Sequence, residues 1–357
     1  MRYYLISGEA SGDRLCDDLI QSLRRCDGAC EFRRWRPERS VMGVWEVAAQ
    51  LPRLVRELRA CRNDIARWKP DAVVLVDYPA FNLRIARFAH SRGFKVYWYV
   101  APKAWAHGEG RVDALRRDVD RVYCIFPFEP EWFRSRGLEV RYFGNPLADI
   151  LASEETRPLE GGRMIVLLPG SRRAELSFLM PRFAEMERLM DASGRLRDLR
   201  LVVAGAPGLD MEDYRRHIPA GSRMEVVFGR TADLLRQAEA AVVCSGTASL
   251  EAALSGVPQL VCYGFSPLTW KVARKVVKVP YASLVNLILG REAVPELMQD
   301  AASPEGMLDV LERILTYETL RSRMQADYAG MRAALGGPGA SMRVAEDIYK
   351  DLESLTA

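Results

Sequence analysis

Short apolar runs, rich in β-branched and aromatic residues, recur along this chain, and each gives way to a polar turn and then to a helical pattern. In the first part they occupy residues 3–6, 73–76, 96–100, 122–126 and 140–143, with helical patterns such as 14–25 and 83–92 between them. Runs that are apolar on both faces suit parallel strands covered on both sides, and strand–helix alternation requires right-handed crossovers in a doubly wound sheet. Residues 153–163 carry Glu, Pro and Gly with little apolar character, which predicts a linker. The pattern then restarts at 164–168, 201–204, 225–228, 241–244 and 259–263. Two α/β domains follow, 1–155 and 156–335. Beyond a glycine-rich loop at 336–339, an amphipathic helix at 342–355 falls in a closing segment, 336–357.

A length of 357 residues accommodates two such cores. No apolar run approaches the roughly 20 residues that span a bilayer. The apolar piece at 3–6 is too short for a signal peptide and leads into a glycine-bearing loop, so a cytoplasmic protein is expected. The seven cysteines include no Cys-x-x-Cys pair, and the three histidines lie far apart, so no metal site is expected. A net charge of +4 is too small to argue for nucleic acid.

Ligands of open α/β sheets bind beyond the carboxyl ends of strands, so the loops there are the candidates. Gly8, Glu9, Ala10, Ser11, Gly12 and Asp13 follow the first strand. The glycines allow close backbone approach to a ligand, although Ser11 or Asp13 could equally be a helix N-cap. Asp77 stands at a strand end before Tyr78, Pro79, Ala80, Phe81 and Asn82, placed either as a general base or as a cap. In the second half, Gly170 and Ser171 offer backbone donors and Arg172 a phosphate clamp, in a loop running on through Arg173 and Ala174 to Glu175. Ser245, Gly246 and Thr247 open another helix, and Glu251, about one turn beyond Thr247, is in reach of a ribose diol. The alternatives at these two loops are a plain polar turn and a capping motif. Two phosphate-friendly turns in one half point to a nucleotide diphosphate. There is no Walker lysine pattern, nucleophile elbow or Asp-x-Asp pair.

These loops, with the run from Tyr99 through Pro102, Lys103 and Trp105, the run from Phe126 to Glu129, Gly144–Asn145–Pro146–Leu147 and the run from Ser283 through Asn286 to Ile288, resemble the lipid-A-disaccharide synthase family, in order over nearly the whole chain. The resemblance implies a GT-B fold, two Rossmann-like doubly wound domains facing a central cleft, and an inverting glycosyltransferase that needs neither metal nor cofactor. Its donor would be UDP-2,3-diacylglucosamine, its acceptor 2,3-diacylglucosamine 1-phosphate, and its products a β-1,6 disaccharide 1-phosphate and UDP. Donor contacts would come from Gly170, Ser171, Arg172, Ser245, Gly246, Thr247, Glu251 and Asn286. Acceptor contacts would come from Gly8, Gly12, Asp13, Asn82, Trp105 and Asn145. Asp77, with Glu9 and Ser11, would carry the catalysis. The resemblance also implies peripheral attachment to the inner face of the inner membrane, and a possible homodimer in which the closing helix is exchanged or crosses back.

The chain departs from the family pattern at Ala80, His107 and Asn145, and it lacks a glycine-rich stretch between Phe32 and Met42, all in the acceptor half. Two other readings stay open: another GT-B enzyme such as a glycolipid transferase or UDP-sugar epimerase, and a UDP-sugar-binding protein without turnover. Residues 41–67 show an apolar stripe (Val44, Val47, Ala48, Leu51, Val55, Leu58) flanked by Arg53, Arg56, Arg59 and Arg62. That pattern fits a surface helix packed on its domain, or one lying on an anionic membrane.

Overall fold

The computed structural model describes residues 1–8, 10–36, 44–264, 270 and 279–356. The chain divides into two compact units: Met1–Ile150 with Leu335–Ala357, and Leu151–Ala334.

The first unit is built on β1 (Arg2–Ser7), β2 (Glu31–Trp35), β3 (Ala72–Val76), β4 (Lys95–Tyr99), β5 (Arg121–Cys124) and β6 (Arg141–Tyr142). They form one sheet in the order β2-β1-β3-β4-β5-β6, and every pair is parallel. The second unit holds β7 (Met164–Leu168), β8 (Arg200–Gly205), β9 (Glu225–Phe228), β10 (Ala240–Cys244), β11 (Gln259–Tyr263) and β12 (Glu296–Met298), again all parallel, in the order β12-β11-β10-β7-β8-β9. The central strands β3, β7 and β10 are buried along their whole length, which is why their sequences are apolar at consecutive positions rather than at alternate ones.

The edge strands β2 and β12 are additions to the sequence reading. β2 reads Glu-Phe-Arg-Arg-Trp and is buried nowhere along its length. An edge strand has one open side, so it tolerates the arginines that hide it from a search for apolar runs. Those arginines are matched within the unit: Arg33 pairs with Asp64 at 3.1 Å, and Arg34 with Asp13 at 2.7 Å. The run expected to reach Val100 stops at Tyr99, because Val100 takes a left-handed φ of 66°. The linker at 153–163 is strapped to the second unit, with Arg157 N donating to Asp233 Oδ1 at 2.8 Å and Leu159 N to Gln237 Oε1 at 2.9 Å.

The closing helix, Ala340–Thr356, packs on the first unit. Val344, Ala345, Ile348 and Leu352 are buried in one cluster with Leu19 and Leu23 of the helix Ala10–Cys26. Its polar side is also tied down: Tyr123 donates to Asp347 at 2.7 Å, Tyr97 to Asp351 at 2.7 Å, and Arg121 pairs with both carboxylates. Of the stripe on the helix Val44–Trp68, Leu58 is buried and Val55 exposed, while the side chains of Val44, Val47, Ala48 and Leu51 lie outside the described residues. Among its arginines, Arg53 pairs with Glu57 at 3.4 Å and Arg62 donates to the Arg84 carbonyl at 3.2 Å, and Arg53, Arg56 and Arg59 are exposed.

Candidate active site

In each unit the strand order reverses at one place, between β1 and β3 in the first and between β7 and β10 in the second. A crevice opens at the carboxyl ends of the strands flanking such a reversal. All four candidate loops leave from those strands: Gly8–Asp13 from β1, the Asp77 turn from β3, the Gly170–Arg172 loop from β7 and the Ser245–Thr247 turn from β10.

At the first reversal, Asp77 and Tyr78 take consecutive left-handed conformations, φ 47° and 48°. Such a conformation costs on the order of 1–2 kcal/mol per non-glycine residue, so the neighbours must hold it. Asp77 N donates to Tyr99 O at 3.1 Å, and the buried Asn82 donates from Nδ2 to Asp77 O at 2.7 Å. The Tyr78 ring lies over Gly8, where a β-carbon would come within 2.3 Å of it. Gly8 is therefore required for this approach, and it locks the two loops together. Gly12 and Ser11 lie in the first turn of the helix Ala10–Cys26 rather than ahead of it. Asp13, in the same turn, accepts from Ser7 Oγ at 2.6 Å and from Arg34 Nη2 at 2.7 Å. Glu9, the side chain of Ser11 and residues 37–43, which cover most of the Phe32–Met42 stretch, lie outside the described residues. Ala80 is exposed in the first turn of the helix Pro79–Ser91, and His107 is exposed in the loop after β4.

Three of the quoted motifs converge on the end of β5. Glu129, with no exposed surface, accepts from Ile125 N and Phe126 N, each at 2.9 Å, and from Trp105 Nε1 at 2.9 Å. Burial pushes the Glu129 carboxyl up to about 7, outweighing those three donors. Trp105 stands edge-on to Phe128, with ring centres 5.1 Å apart. Asn145, 3% exposed, donates to Ile125 O at 3.0 Å and accepts from Leu147 N at 2.9 Å. Its amide is engaged within the fold at both ends, and so it supports the β5 end from below.

At the second reversal, Gly170 takes φ 104°, and a β-carbon there would come 2.2 Å from the Glu175 carboxylate. Glu175 Oε2 accepts from Ser171 N at 2.8 Å and from Arg172 N at 3.2 Å, while Oε1 pairs with Arg172 Nη1 at 3.0 Å. One carboxylate thus gathers the backbone donors and the guanidinium that the sequence offers to a phosphate. Arg172 remains 40% exposed at the N-cap of the helix Arg173–Ser193. Next to it, Ser245 Oγ donates to Ala282 O at 2.6 Å. Gly246, at φ 151°, adopts a backbone open essentially only to glycine and caps the helix Thr247–Leu254, with Glu251 in its second turn.

Asn286, expected as a donor contact, is engaged within the fold. It is fully buried, donates to Val294 O at 2.9 Å and Glu296 Oε1 at 2.8 Å, and accepts from Ala293 N at 2.7 Å and Val294 N at 2.9 Å. Its amide has two donors and two acceptor positions, and all are used. Glu296 in turn takes Ala282 N and Ser283 N, each at 2.8 Å, so Asn286 reaches the Ser245 turn only through the segment it braces. Glu129 and Glu175 are missing from the candidate list. Their signals are an acid inside a Phe-Pro-Phe cluster, and an acid at the third helical position after an N-cap.

Two parallel, doubly wound units with loops of this kind define the GT-B class of nucleotide-sugar enzymes. Solved structures share the fold: a Staphylococcus aureus MnaA–UDP co-structure (TM-score 0.69, 13% identity, 100% of this chain and 98% of that one), a Neisseria meningitidis UDP-GlcNAc 2-epimerase bound to UDP-GlcNAc (0.68, 12%, 98% and 100%) and the calicheamicin glycosyltransferase CalG4 (0.59, 15%, 100% and 100%). The model of the lipid-A-disaccharide synthetase family matches residues 3–340, and the chain belongs to that family. Lipid-A-disaccharide synthases of Myxococcus xanthus (37% identical over 98% of this chain and 97% of the relative) and Anaeromyxobacter dehalogenans strain 2CP-1 (39%, 96% and 96%) are among its relatives.

Proposed function

We propose that this protein transfers 2,3-diacylglucosamine from its UDP derivative to the 6-hydroxyl of 2,3-diacylglucosamine 1-phosphate. The acceptor oxygen forms a β-linked bond to the anomeric carbon, the bond from that carbon to the diphosphate breaks, UDP leaves, and the hydroxyl proton passes to a base. The observation that carries this reading is the family match over residues 3–340, coinciding with candidate loops at both strand-order reversals.

In this reading the second unit holds the donor. Arg172, Ser171 and the helix opening at Thr247 face the diphosphate, and Glu251 faces the ribose. Charge-assisted hydrogen bonds contribute roughly 1.5–3 kcal/mol each and stabilise the leaving diphosphate. Asp77 is the base for the 6-hydroxyl, held at a strained strand end with its turn braced by Asn82. Gly8, Gly12, Asp13 and Trp105 line the acceptor side, and Asn145 and Asn286 act through the backbone they hold. The protein works at the membrane surface where such lipids reside. Among the described residues no helix is long and apolar enough to cross a membrane. Arg53, Arg56, Arg59 and Arg67 are exposed cations of the candidate docking helix, and self-association as a dimer belongs to the same proposal.

An epimerase reading draws on fold neighbours alone, such as the Neisseria meningitidis enzyme at 12% identity, whereas the two synthase relatives stand at 37% and 39%. Incubating the donor with and without acceptor separates the two. Release of UDP only when acceptor is present supports transfer, and isomerisation of the donor alone overturns it.

A further inference from the structure

Most arginines of the first unit that flank β4 and β5 have a carboxylate partner. Arg116 pairs with Asp113 at 3.0 Å, Arg117 with Asp118 at 2.6 Å, and Arg136 with Glu109 at 2.6 Å. The loop between Tyr99 and the helix Arg111–Asp118 is the exception. Among the described residues, neither Lys103 nor Arg111 has a carboxylate within ion-pairing distance, although both are half-buried. Glu109 and Asp113, the nearest acids along the chain, are engaged elsewhere by Arg136 and Arg116.

The backbone turns tightly through this loop. His107 N and Ala106 N both turn back to Lys103 O, at 3.4 and 3.1 Å, and Arg111 N turns back to Gly108 O at 3.0 Å. The Arg111 guanidinium folds over Gly108, whose β-carbon would stand 3.0 Å from Nε. The 3.1 Å bond from Asp77 N to Tyr99 O sets the start of this loop beside the Asp77 turn, and the helix Arg111–Asp118 packs against the helix Pro79–Ser91 that follows that turn. Although His107 is exposed, partial desolvation of its ring first, and then repulsion from Arg111 and Lys103, holds the imidazole below its usual range. Burial likewise lowers the Arg111 guanidinium, with Asp77 acting in the opposite direction. The Lys103 charge is felt by Glu129, but both oxygens of that carboxylate are committed to Ile125, Phe126 and Trp105. Desolvated cations with no paired carboxylate are costly unless an anion from outside completes them.

The geometry points to Lys103 and Arg111 as a phosphate subsite for the acceptor, beside Asp77. This rests on the transferase reading, and it assigns the acceptor's 1-phosphate to the loop after β4. Arg111 presents a planar fork suited to two phosphate oxygens, and Lys103 a point charge on the opposite side of His107 in sequence. A phosphate held here anchors the acceptor sugar while its 6-hydroxyl reaches Asp77.

The test uses the full-length protein, its Arg111→Gln and Lys103→Gln variants, and two soluble probes, glucosamine 1-phosphate and glucosamine, with binding followed by calorimetry. Wild type is expected to favour the phosphorylated probe, and each variant to lose about 10- to 100-fold of that preference while UDP affinity stays at the wild-type value. In turnover, KM for the phosphorylated acceptor rises in each variant and KM for the UDP-sugar does not. Equal loss for both probes, or an undiminished preference in both variants, overturns the subsite. If wild type makes no disaccharide yet prefers the phosphorylated probe through Arg111, the transferase reading fails and the subsite stands.

Discussion

The carboxylate of Glu129 accepts the indole N–H of Trp105 at 2.9 Å while its other oxygen caps the backbone of Ile125 and Phe126. Because burial lifts this carboxyl to about 7, it binds a proton in the folded state at pH values where the unfolded chain, near 4.5, has already lost it. The sign follows. The contribution of Glu129 to stability is full below the unfolded pKa and declines as pH rises from about 4.5 to about 7, by ~3 kcal/mol at the order-of-magnitude level. Chemical denaturation of wild type and Glu129→Gln across that window measures it. The variant, which cannot ionise, loses this component of the slope; identical pH slopes would show that Glu129 has no raised pKa.

Glu175 and Arg172 share a 3.0 Å ion pair inside the proposed donor loop. Arg172→Ala is expected to weaken UDP binding by about 10- to 100-fold, the worth of a charge-assisted hydrogen bond. Glu175→Ala removes the acceptor for Ser171 N and Arg172 N, so the loop loses its brace and UDP affinity falls by a smaller factor. Calorimetric titration with UDP checks both. An Arg172→Ala protein that binds UDP as wild type does would remove the diphosphate assignment.

Asp77→Asn keeps a residue type that tolerates the left-handed backbone at φ 47°, so the turn survives while the proposed base is lost. Turnover is expected to fall by about 100-fold or more, with UDP affinity unchanged. Gly8→Ala drives a methyl group into the Tyr78 ring, and it is expected to lower turnover by displacing the same turn. Steady-state kinetics of the two variants is the check, and wild-type rates in Asp77→Asn exclude Asp77 as the base.

Asn286→Ala leaves Ala293 N, Val294 N and Val294 O without their side-chain partner inside the second unit. A loss of stability of at least about 3 kcal/mol is expected, since each of the three buried groups left unpaired costs ~1–3 kcal/mol. Thermal unfolding measures it. Undiminished stability with lost donor affinity would make Asn286 a ligand of the donor rather than a brace.

The central strands and the loops leaving them were legible because consecutive burial writes itself as consecutive apolar residues, as in β3 and β7. The edge strands β2 and β12 were not, since Arg33 and Arg34 in β2 and Glu296 in β12 satisfy partners within their own units rather than filling a core. Among site residues, loop position was readable from strand ends, but the difference between touching a ligand and holding the backbone was not. Asn82, Asn145 and Asn286 look alike in sequence as polar residues in motifs; only the structure shows their burial and their bonds to Asp77, Ile125 and Val294. Glu129 was hidden because its one side-chain partner, Trp105, lies 24 residues away, whereas Glu175 has only local partners and carries the spacing of a capping box.

The most direct measurement of the central claim is the transfer reaction itself. Purified protein is mixed with UDP-2,3-diacylglucosamine and 2,3-diacylglucosamine 1-phosphate, and the products are identified by mass spectrometry and by the anomeric coupling in NMR. A β-1,6-linked disaccharide 1-phosphate formed in step with UDP is the predicted result. Donor bound tightly with neither disaccharide nor UDP formed would contradict it.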